Sequence, residues 1–305
     1  MHSIIIGDLM LDQYIFGEVN RISPEAPVLV LSYKDNYHVL GGALNVSHNL
    51  HNLGTNVLPI GIIGDDNSGK KILKILEKES INIDNILVSD NHITSEKTRF
   101  ASSNHHLLRL DKEQIGINQK WNDYFFERFL ENSSKIDFLL ISDYGKGVCN
   151  TKLLNRVIES CNKKNINVFV DPKGKNYRKY RNSFCITPNK NEAQSVLGKT
   201  LITNRDFENA AIEIAQKYNI KNCIITRGGN GLTCYDSKKT FNIKTKKINV
   251  FDVSGAGDTF ISVLSHYYSK SKNKSIKKAC EIANIEAGKS VQYFGTQSIN
   301  KKYRY

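Results

Sequence analysis

The feature that most constrains the fold is a regular alternation of short, continuously apolar runs with amphipathic segments. The first two runs are residues 4–6 and 57–63, and between them Val46, Leu50 and Leu53 recur at helical spacing. Further apolar strands are predicted at residues 138–142, 167–170 and 223–226. Helical patterns cover residues 150–163, 190–197, 205–218, 257–270 and 275–291. This alternation predicts an α/β fold whose mainly parallel central sheet carries helices on both faces.

Two β-rich regions depart from the alternation. Residues 13–38 contain many β-forming residues but are interrupted by Pro24 and Pro27, and residues 93–111 hold two strand-like runs that predict a hairpin. We interpret both regions as a small β-sheet that lies over one edge of the main sheet as a lid. One face of such a sheet must meet a substrate, the core or another subunit. Residues 1–305 are therefore predicted to form a single domain with a lid.

Composition narrows the class of protein. A mean hydropathy of −0.40 without a long apolar run argues against a transmembrane helix. The six cysteines include no CxxC pair, which predicts reduced, buried thiols and a cytoplasmic location. A net charge of +13 suits an anionic partner. Because the lysines are spread over most helices rather than clustered with aromatic residues, we expect a small anionic molecule rather than nucleic acid or a membrane. A basic nucleic-acid-binding protein is the non-enzyme alternative.

The segment Asp252-Val-Ser-Gly-Ala-Gly-Asp258 carries the most chemical information. It lies between a strand-like run at residues 248–251 and a long helix. Gly255 and Gly257 allow backbone N–H groups to converge at the start of that helix, which would stabilise a phosphoryl group during transfer. Asp258 stands where a carboxylate could accept the proton of an attacking hydroxyl. A glycine-rich turn in which Asp258 only caps the helix is the structural alternative.

A second set of polar residues is typical of a polyol site. Gly41 and Gly42 precede a helix that contains Asn45, so a ligand could approach the backbone closely and meet an amide donor and acceptor. Asp8 and Asp12 follow the first strand, at the carboxyl end where open α/β sheets bind ligands. Each residue alone could be a cap or a turn residue.

Asn189 and Glu192 end a strand and open a helix. They could form a capping box, which would explain both residues structurally. Alternatively, Glu192 could hold Mg²⁺ through water near nucleotide phosphates. Their spacing does not separate the two interpretations.

These segments together resemble the ribokinase-like (pfkB) sugar kinases. Residues 252–258 resemble the C-terminal signature of that family, residues 41–45 its glycine motif, and Asn189-x-x-Glu192 its magnesium motif. Four further segments, residues 7–14, 21–27, 143–147 and 171–174, resemble the members that phosphorylate D-glycero-β-D-manno-heptose 7-phosphate.

The resemblance implies a ribokinase-like fold, ATP and Mg²⁺, and transfer to the anomeric hydroxyl to give the 1,7-bisphosphate for ADP-heptose and lipopolysaccharide core synthesis. The alternatives within the family are kinases of fructose, fructose phosphate or nucleosides. In many bacteria this kinase is fused to an adenylyltransferase, whose HxGH motif is not found here, so the adenylyl step is expected to need another chain.

The resemblance also implies roles for individual positions. Asp258 would be the catalytic base, with an anion hole formed by Gly255, Ala256 and Gly257. The sugar would be held by Asp12, Gly41, Gly42 and Asn45, with Asp8 and Asp143 nearby. The nucleotide side would comprise Asn189, Glu192, Lys173, Thr226, Gly228, Gly231 and Asn284, with Glu192 ordering Mg²⁺ through water. Lid strands would pair between the two subunits of a homodimer.

A 7-phosphate requires fixed cations, preferably arginine with its two-pronged guanidinium group. Arg21, Arg99 and Arg109 lie in or beside the predicted lid. We predict that at least one of them contacts the phosphate. Salt bridges within the lid are the structural alternative.

Overall fold

The computed structural model of the chain describes residues 1–103, 105–296 and 298–299. Within these residues the strands are β1 (His2–Gly7), β2 (Leu9–Ile22), β3 (Leu29–Gly42), β4 (Asn56–Gly64), β5 (Ile86–Ser89), β6 (Ser95–Ser102), β7 (His105–Lys112), β8 (Phe138–Ser142), β9 (Asn167–Asp171), β10 (Cys185–Ile186), β11 (Asn222–Thr226), β12 (Leu232–Tyr235) and β13 (Thr240–Ile243). The α-helices are α1 (Ala43–Asn52), α2 (Asn67–Lys78), α3 (Trp121–Asn132), α4 (Thr151–Lys163), α5 (Lys190–Leu197), α6 (Asn204–Tyr218), α7 (Ala256–Lys270) and α8 (Ile276–Ser290).

The main sheet runs in the order β13-β12-β11-β10-β9-β8-β1-β4-β5. All neighbours from β11 to β5 pair in parallel, and β12 and β13 extend one edge as antiparallel strands. The central strand β1 is buried on both faces because Ile5 packs into one apolar core and Ile4 and Ile6 into the other. Helices α1, α2, α7 and α8 contribute to the first core, and α3 to α6 contribute to the second. The predicted mainly parallel sheet with helices on both faces is confirmed.

A second sheet, which we call the lid, has the strand order β3-β2-β6-β7. β2 begins only one residue after β1, so the lid projects directly from the carboxyl end of the central strand. Alternation along the strands places Tyr14, Tyr37, Arg99 and Arg109 on one face, because these residues pair across the sheet. This face, the inner lid face, lies toward the start of α7.

Most element boundaries predicted from the sequence are correct to within two residues. The strand expected at residues 248–251 is wrong, because residues 244–250 form no regular element and Val250 and Phe251 are exposed. The lid is longer than expected, since β2 starts at Leu9.

All six cysteines are buried and unpaired, as expected. In the described part of the chain, no helix has the length and apolar character needed to span a membrane. The predicted single domain also includes residues 104, 297 and 300–305, which lie outside the described residues.

Candidate active site

The centre of the candidate site is the start of α7, where Asp258 lies in the first helical turn. Its side chain is buried, and both carboxylate oxygens accept short hydrogen bonds. Asn45 Nδ2 donates to Oδ2 at 2.6 Å from α1, and the Tyr144 hydroxyl donates to Oδ1 at 2.6 Å from the loop after β8. Two elements on opposite sides therefore hold the carboxylate in a fixed orientation.

Burial raises the pKa of Asp258 to about 6, although the hydrogen bonds from Tyr144 and Asn45 act in the opposite direction. The carboxylate of Asp12 adds to the increase. A group with this pKa is ionised near neutral pH and still basic enough to take a proton, which suits a general base.

The turn before α7 has the conformation that its glycines predict. Gly255 is left-handed (φ 79°), and a Cβ there would lie 3.0 Å from Asn45 Nδ2. Gly257 is exposed, and nothing lies within 4 Å of a Cβ placed on it. The Ala256 N–H donates to the Val253 carbonyl at 3.3 Å, whereas the N–H groups of the first turn have no acceptor within the helix. The start of α7 thus presents backbone donors beside an open position.

The glycine motif before α1 ends the lid strand β3. Gly41 contacts Asp12, whose carboxylate carbon would lie 3.0 Å from an added Cβ. Gly42 has φ 57°, and a Cβ there would lie 2.4 Å from the Asp8 carbonyl oxygen. At position 42 the positive φ and the close approach to this oxygen both require glycine. The motif brings Asn45 and Asp12 to the same cleft as Asp258.

Asp8 holds the loop that follows β8. Its carboxylate accepts hydrogen bonds from three backbone N–H groups, those of Tyr144 (2.9 Å), Lys146 (3.0 Å) and Val148 (3.1 Å). Burial raises the pKa of Asp8 and the nearby Asp143 adds to the rise, while the three backbone hydrogen bonds oppose it. Asp8 therefore positions the loop at residues 143–148.

Asp143 lines a pocket beside Gly257, and its side chain also has partners within the protein. Its carboxylate pairs with the Lys179 ammonium group and accepts a hydrogen bond from the Tyr180 hydroxyl at 2.6 Å. The Gly145 N–H donates to its other oxygen at 2.7 Å. The side chain of Asp143 is 1% exposed. Asp143 therefore neutralises the Lys179 ammonium group, which is largely shielded from solvent, and holds the Gly145 backbone in place.

The inner lid face completes the cleft above Asp258. Arg99 Nη1 lies 3.0 Å from Asp12 Oδ1, and the Arg99 guanidinium stacks over the Tyr14 ring at 5.1 Å. Thr296 donates to Asp12 Oδ2 from its hydroxyl at 3.1 Å, and its N–H donates to the Tyr14 hydroxyl at 2.8 Å. The lid and the C-terminal segment are thereby joined around Asp12.

Lys97 on β6 and Arg109 on β7 lie on the inner lid face, and Lys146 in the loop after β8 lies close to them. Burial lowers the pKa of Lys97, and the positive charges of Arg109 and Lys146 lower it further. The Asp111 carboxylate acts in the opposite direction. The three cations are therefore close neighbours. Asp111 accepts two hydrogen bonds from the Arg109 guanidinium at 2.8 and 2.9 Å. Lys146 pairs with Glu113 at 2.5 Å. We call Lys97, Arg109 and Lys146 the lid cation cluster.

Arg21 does not reach this site within one chain. It lies on the exposed outer half of β2, nine residues beyond Asp12 and opposite Val30. Nine residues of strand span roughly 30 Å. The long β2 therefore separates Arg21 from Arg99 and Arg109, which do reach the cleft.

A second, acidic pocket of about 180 Å³ lies on the other side of Asp258. Its lining includes Tyr144, Asp171, Lys173, Glu192 and Gly257. Burial raises the pKa of Asp171 well above its ordinary value, and the carboxylates of Asp258 and Glu192 raise it further. Lys173 pairs with Glu192 at 3.1 Å. The pocket therefore places the Asp171 carboxyl group and the Lys173–Glu192 pair next to the turn that begins α7.

Asn189 and Glu192 form the capping box that their spacing predicts. The Glu192 N–H donates to Asn189 Oδ1 at 3.0 Å, and the Asn189 N–H donates to Glu192 Oε2 at 2.9 Å. Both residues nevertheless line the acidic pocket. The two interpretations of this motif are therefore compatible. Among the described residues no group of three or more His, Cys, Asp or Glu side chains could hold a metal ion directly.

The remaining candidates for the nucleotide side differ in what they do. Thr226 ends β11 and lines the acidic pocket. Gly231 is explained by packing, because a Cβ there would lie 1.9 Å from the Ile243 carbonyl oxygen. Gly228 (φ 56°) faces open space. Asn284 holds the segment between β13 and α7 by accepting from the Thr245 hydroxyl at 3.0 Å and donating to the Lys244 carbonyl at 3.2 Å.

Several residues of the site were missed from the sequence. Tyr144 and Asp171 lie within segments that carry the family resemblance. Asp171 directly follows a predicted strand, which is a usable signal. Lys97 and Lys146 carry no motif, because an isolated lysine in a strand or loop is usually a solvated surface residue. Thr296 follows the last helix and carried no motif.

The arrangement is suited to transfer between two ligands. A polar cleft with fixed cations lies on the lid side of Asp258, and an acidic pocket lies on its other side. The first turn of α7 stands between them with N–H groups that could stabilise developing negative charge. A base of this pKa between two such pockets could deprotonate a hydroxyl as it attacks a phosphoryl group.

Comparisons with known proteins agree with this chemistry. The family model described as "pfkB family carbohydrate kinase" matches residues 2–302. The chain is 39% identical over 305 residues to the bifunctional protein HldE of Aliarcobacter butzleri, covering 99% of this chain and 63% of that protein. It is 38% identical over 294 residues to the same-named protein of Campylobacter concisus, covering 96% and 61%. The chain thus spans a little over three-fifths of these curated relatives.

The fold is similar to that of a solved structure, phosphofructokinase-2 from Escherichia coli in complex with substrates and products. The TM-score is 0.81 at 18% sequence identity, and the match covers 98% of this chain and 95% of that one. At this identity the likeness concerns the fold alone.

Proposed function

We propose, from the premise that this chain belongs to the pfkB family of carbohydrate kinases, that it transfers the γ-phosphoryl group of ATP to the anomeric hydroxyl of D-glycero-β-D-manno-heptose 7-phosphate. The product would be the 1,7-bisphosphate, an intermediate of ADP-heptose synthesis. The observation that carries this proposal is Asp258, a buried base held between a cation-lined cleft and an acidic pocket.

Asp258 would act on the sugar hydroxyl. With the hydroxyl in the cleft beside Asn45 and Asp12, the Asp258 carboxylate takes the proton as the oxygen attacks the γ-phosphorus. The bond from the γ-phosphorus to the β,γ-bridging oxygen breaks, and ADP leaves. The N–H groups at the start of α7 face the transferring group, and stabilisation of charge by such donors is a large contribution to phosphoryl transfer. The lid keeps water from the attacking position, which favours transfer over hydrolysis.

The lid cation cluster suits the 7-phosphate. Arg109 and Lys97 lie on the inner lid face beyond Arg99, and Lys146 approaches from the loop after β8. Asp111 and Glu113 now balance part of this charge, and an incoming phosphate dianion would compete with them for the same donors. A sugar whose anomeric end lies at Asp258 would extend its phosphate tail toward this cluster.

The acidic pocket fits the magnesium-bound phosphates of a nucleotide. The mutually repelling carboxylates of Asp171 and Glu192 are the donor chemistry that a hard divalent cation requires. Glu192 would hold Mg²⁺ through water, and Lys173 would contact a phosphate. When bound, the cation neutralises charge on the phosphate oxygens. Thr226 and the segment held by Asn284 would line the nucleotide side.

The outer face of the lid suits a second copy of the chain. Tyr33, Leu108 and Leu110 lie on this face and are 63%, 62% and 58% exposed. Exposed apolar side chains on a sheet with free edges usually mark an interface. The family resemblance implies pairing of lid strands between subunits, so we propose a homodimer that buries this face.

Replacing Asp258 by asparagine should abolish turnover while leaving the fold intact. We expect ADP release from ATP–Mg²⁺ and heptose 7-phosphate to fall by at least 100-fold, because general base catalysis contributes about 10²–10⁴-fold. In the wild type, kcat/KM should decline as the pH falls below about 6, where Asp258 becomes protonated. Asp65→Asn, at an exposed surface pair, is the matched control. Equal turnover of fructose phosphates or nucleosides would reject the heptose assignment.

Removing the lid cations should selectively weaken the binding of phosphorylated sugar. Lys97→Met and Arg109→Met should each raise KM for heptose 7-phosphate by about 10- to 100-fold, the value of a charged hydrogen bond. Turnover of unphosphorylated heptose should change little. Lys34→Met, which removes an exposed lid cation paired with Glu18, is the control. Equal losses for both sugars would contradict phosphate recognition by these residues.

Charging the outer lid face should separate the subunits. Sedimentation should give twice the 34.5 kDa chain mass for the wild type and a single chain mass for the double variant Leu108→Glu, Leu110→Glu. Ile202→Glu, at an apolar residue that is 76% exposed outside the lid, should remain dimeric. A wild type that sediments as a monomer, or a double variant that stays dimeric, would overturn the lid dimer.

A further inference from the structure

We infer that Tyr144 is a positioning residue for the catalytic base: its hydroxyl orients the Asp258 carboxylate from the nucleotide side and keeps it ionised. This inference rests on the proposed function, because it gives Tyr144 a task in the same reaction. Tyr144 is not part of the glycine turn that carries Asp258. The loop after β8 brings its hydroxyl to the Asp258 carboxylate.

The geometry gives Tyr144 a fixed position. Its N–H is held by Asp8 at 2.9 Å, and the next turn of the loop is held by the hydrogen bond from the Gly145 N–H to Asp143 at 2.7 Å. Gly147 (φ 122°) could not carry a side chain, since a Cβ would lie 2.7 Å from Gly116. The loop therefore has little freedom, and the phenol is aimed at Asp258 with a 2.6 Å hydrogen bond.

The phenol can only donate to Asp258. Burial raises the pKa of Tyr144 well above its ordinary value, and the adjacent Asp258 carboxylate raises it further, so the hydroxyl keeps its proton at every working pH. A donor that never ionises stabilises the carboxylate form of its partner. Tyr144 also lines the acidic pocket beside Gly257, so the phosphoryl group would pass next to it.

Tyr144 and Asn45 divide the two sides of the base. Asn45 approaches from the glycine motif on the sugar side and donates to Oδ2 of Asp258. The Tyr144 hydroxyl donates to Oδ1 of the same carboxylate. Each carboxylate oxygen retains a second lone pair for the substrate proton. The other charged groups around Asp258 are Asp12, which is paired with Arg99, and Asp171, which is flanked by Glu192 and Lys173. Asp12 opposes the ionisation of Asp258, and the two hydrogen bonds act against it.

The test is the pH dependence of Tyr144→Phe. Loss of a hydrogen bond to a charged group should move the acid limb of kcat/KM from about pH 6 upward by roughly one unit. Activity should then fall about five-fold at pH 6 and recover nearly to the wild-type level at pH 8.5. Tyr177→Phe is the matched control, because that buried hydroxyl has no hydrogen-bond partner among the described residues. An unshifted acid limb, or a loss that is equal at all pH values, would overturn the inference.

Two further measurements test the role of Tyr144 independently of the proposed substrate. In protein labelled with ¹³C-aspartate, the carboxyl resonance that Asp258→Asn removes should titrate about one unit higher in Tyr144→Phe, whether or not the sugar is correctly identified. Replacing Tyr144 by 3-fluorotyrosine, a stronger donor that retains the ring, should shift the same titration to lower pH. An unchanged titration in both variants would refute the role of Tyr144. An inactive wild type with the expected titrations would refute only the proposed function.

Discussion

The site depends on keeping one buried carboxylate charged. Asp258 lies in an environment that favours its neutral form, and its charge is retained because two donors reach it at 2.6 Å from separate parts of the chain. One donor comes from α1 and the other from the loop after β8. The end of β3, from which α1 starts, pairs with the first residues of β2 just beyond β1, and β8 pairs with β1. The sheet topology itself therefore brings both donors to the start of α7.

Other buried carboxylates support that arrangement by fixing the parts of the chain around it. Asp8 holds three backbone N–H groups of the loop at residues 143–148, and Asp143 neutralises Lys179 while fixing Gly145. Asp12 joins the lid to the C-terminal segment through Arg99 and Thr296. Removing any one of these carboxylates would leave buried donors unsatisfied, which costs about 1–3 kcal/mol for each group.

The sequence predicts the scaffold well because its signals are local. The predicted bounds of β8 and α5 agree with the observed ones. The reason is that an apolar strand and a capping box are each determined by a few adjacent residues. Residues 248–251 look like a strand by the same rule, yet Val250 and Phe251 are exposed, because no neighbouring strand pairs with them.

The site is only partly predictable because its contacts are distant in sequence. Asp8 is an aspartate at the end of a strand, and this alone does not show that it accepts hydrogen bonds from the backbone of residues 144–148. The same limit applies to Arg21, which the length of β2 carries away from the cleft. Tyr144 was missed because a tyrosine carries no charge pattern, and its role appears only once its hydroxyl is seen on Asp258.

The most direct test of the account is the identity of the phosphorylated product. After incubation of the wild-type protein with ATP–Mg²⁺ and D-glycero-β-D-manno-heptose 7-phosphate, ³¹P NMR should show a second sugar phosphate coupled to the anomeric proton, formed in step with ADP. A phosphate on another carbon, or ADP accompanied only by inorganic phosphate, would contradict transfer to the anomeric hydroxyl at Asp258.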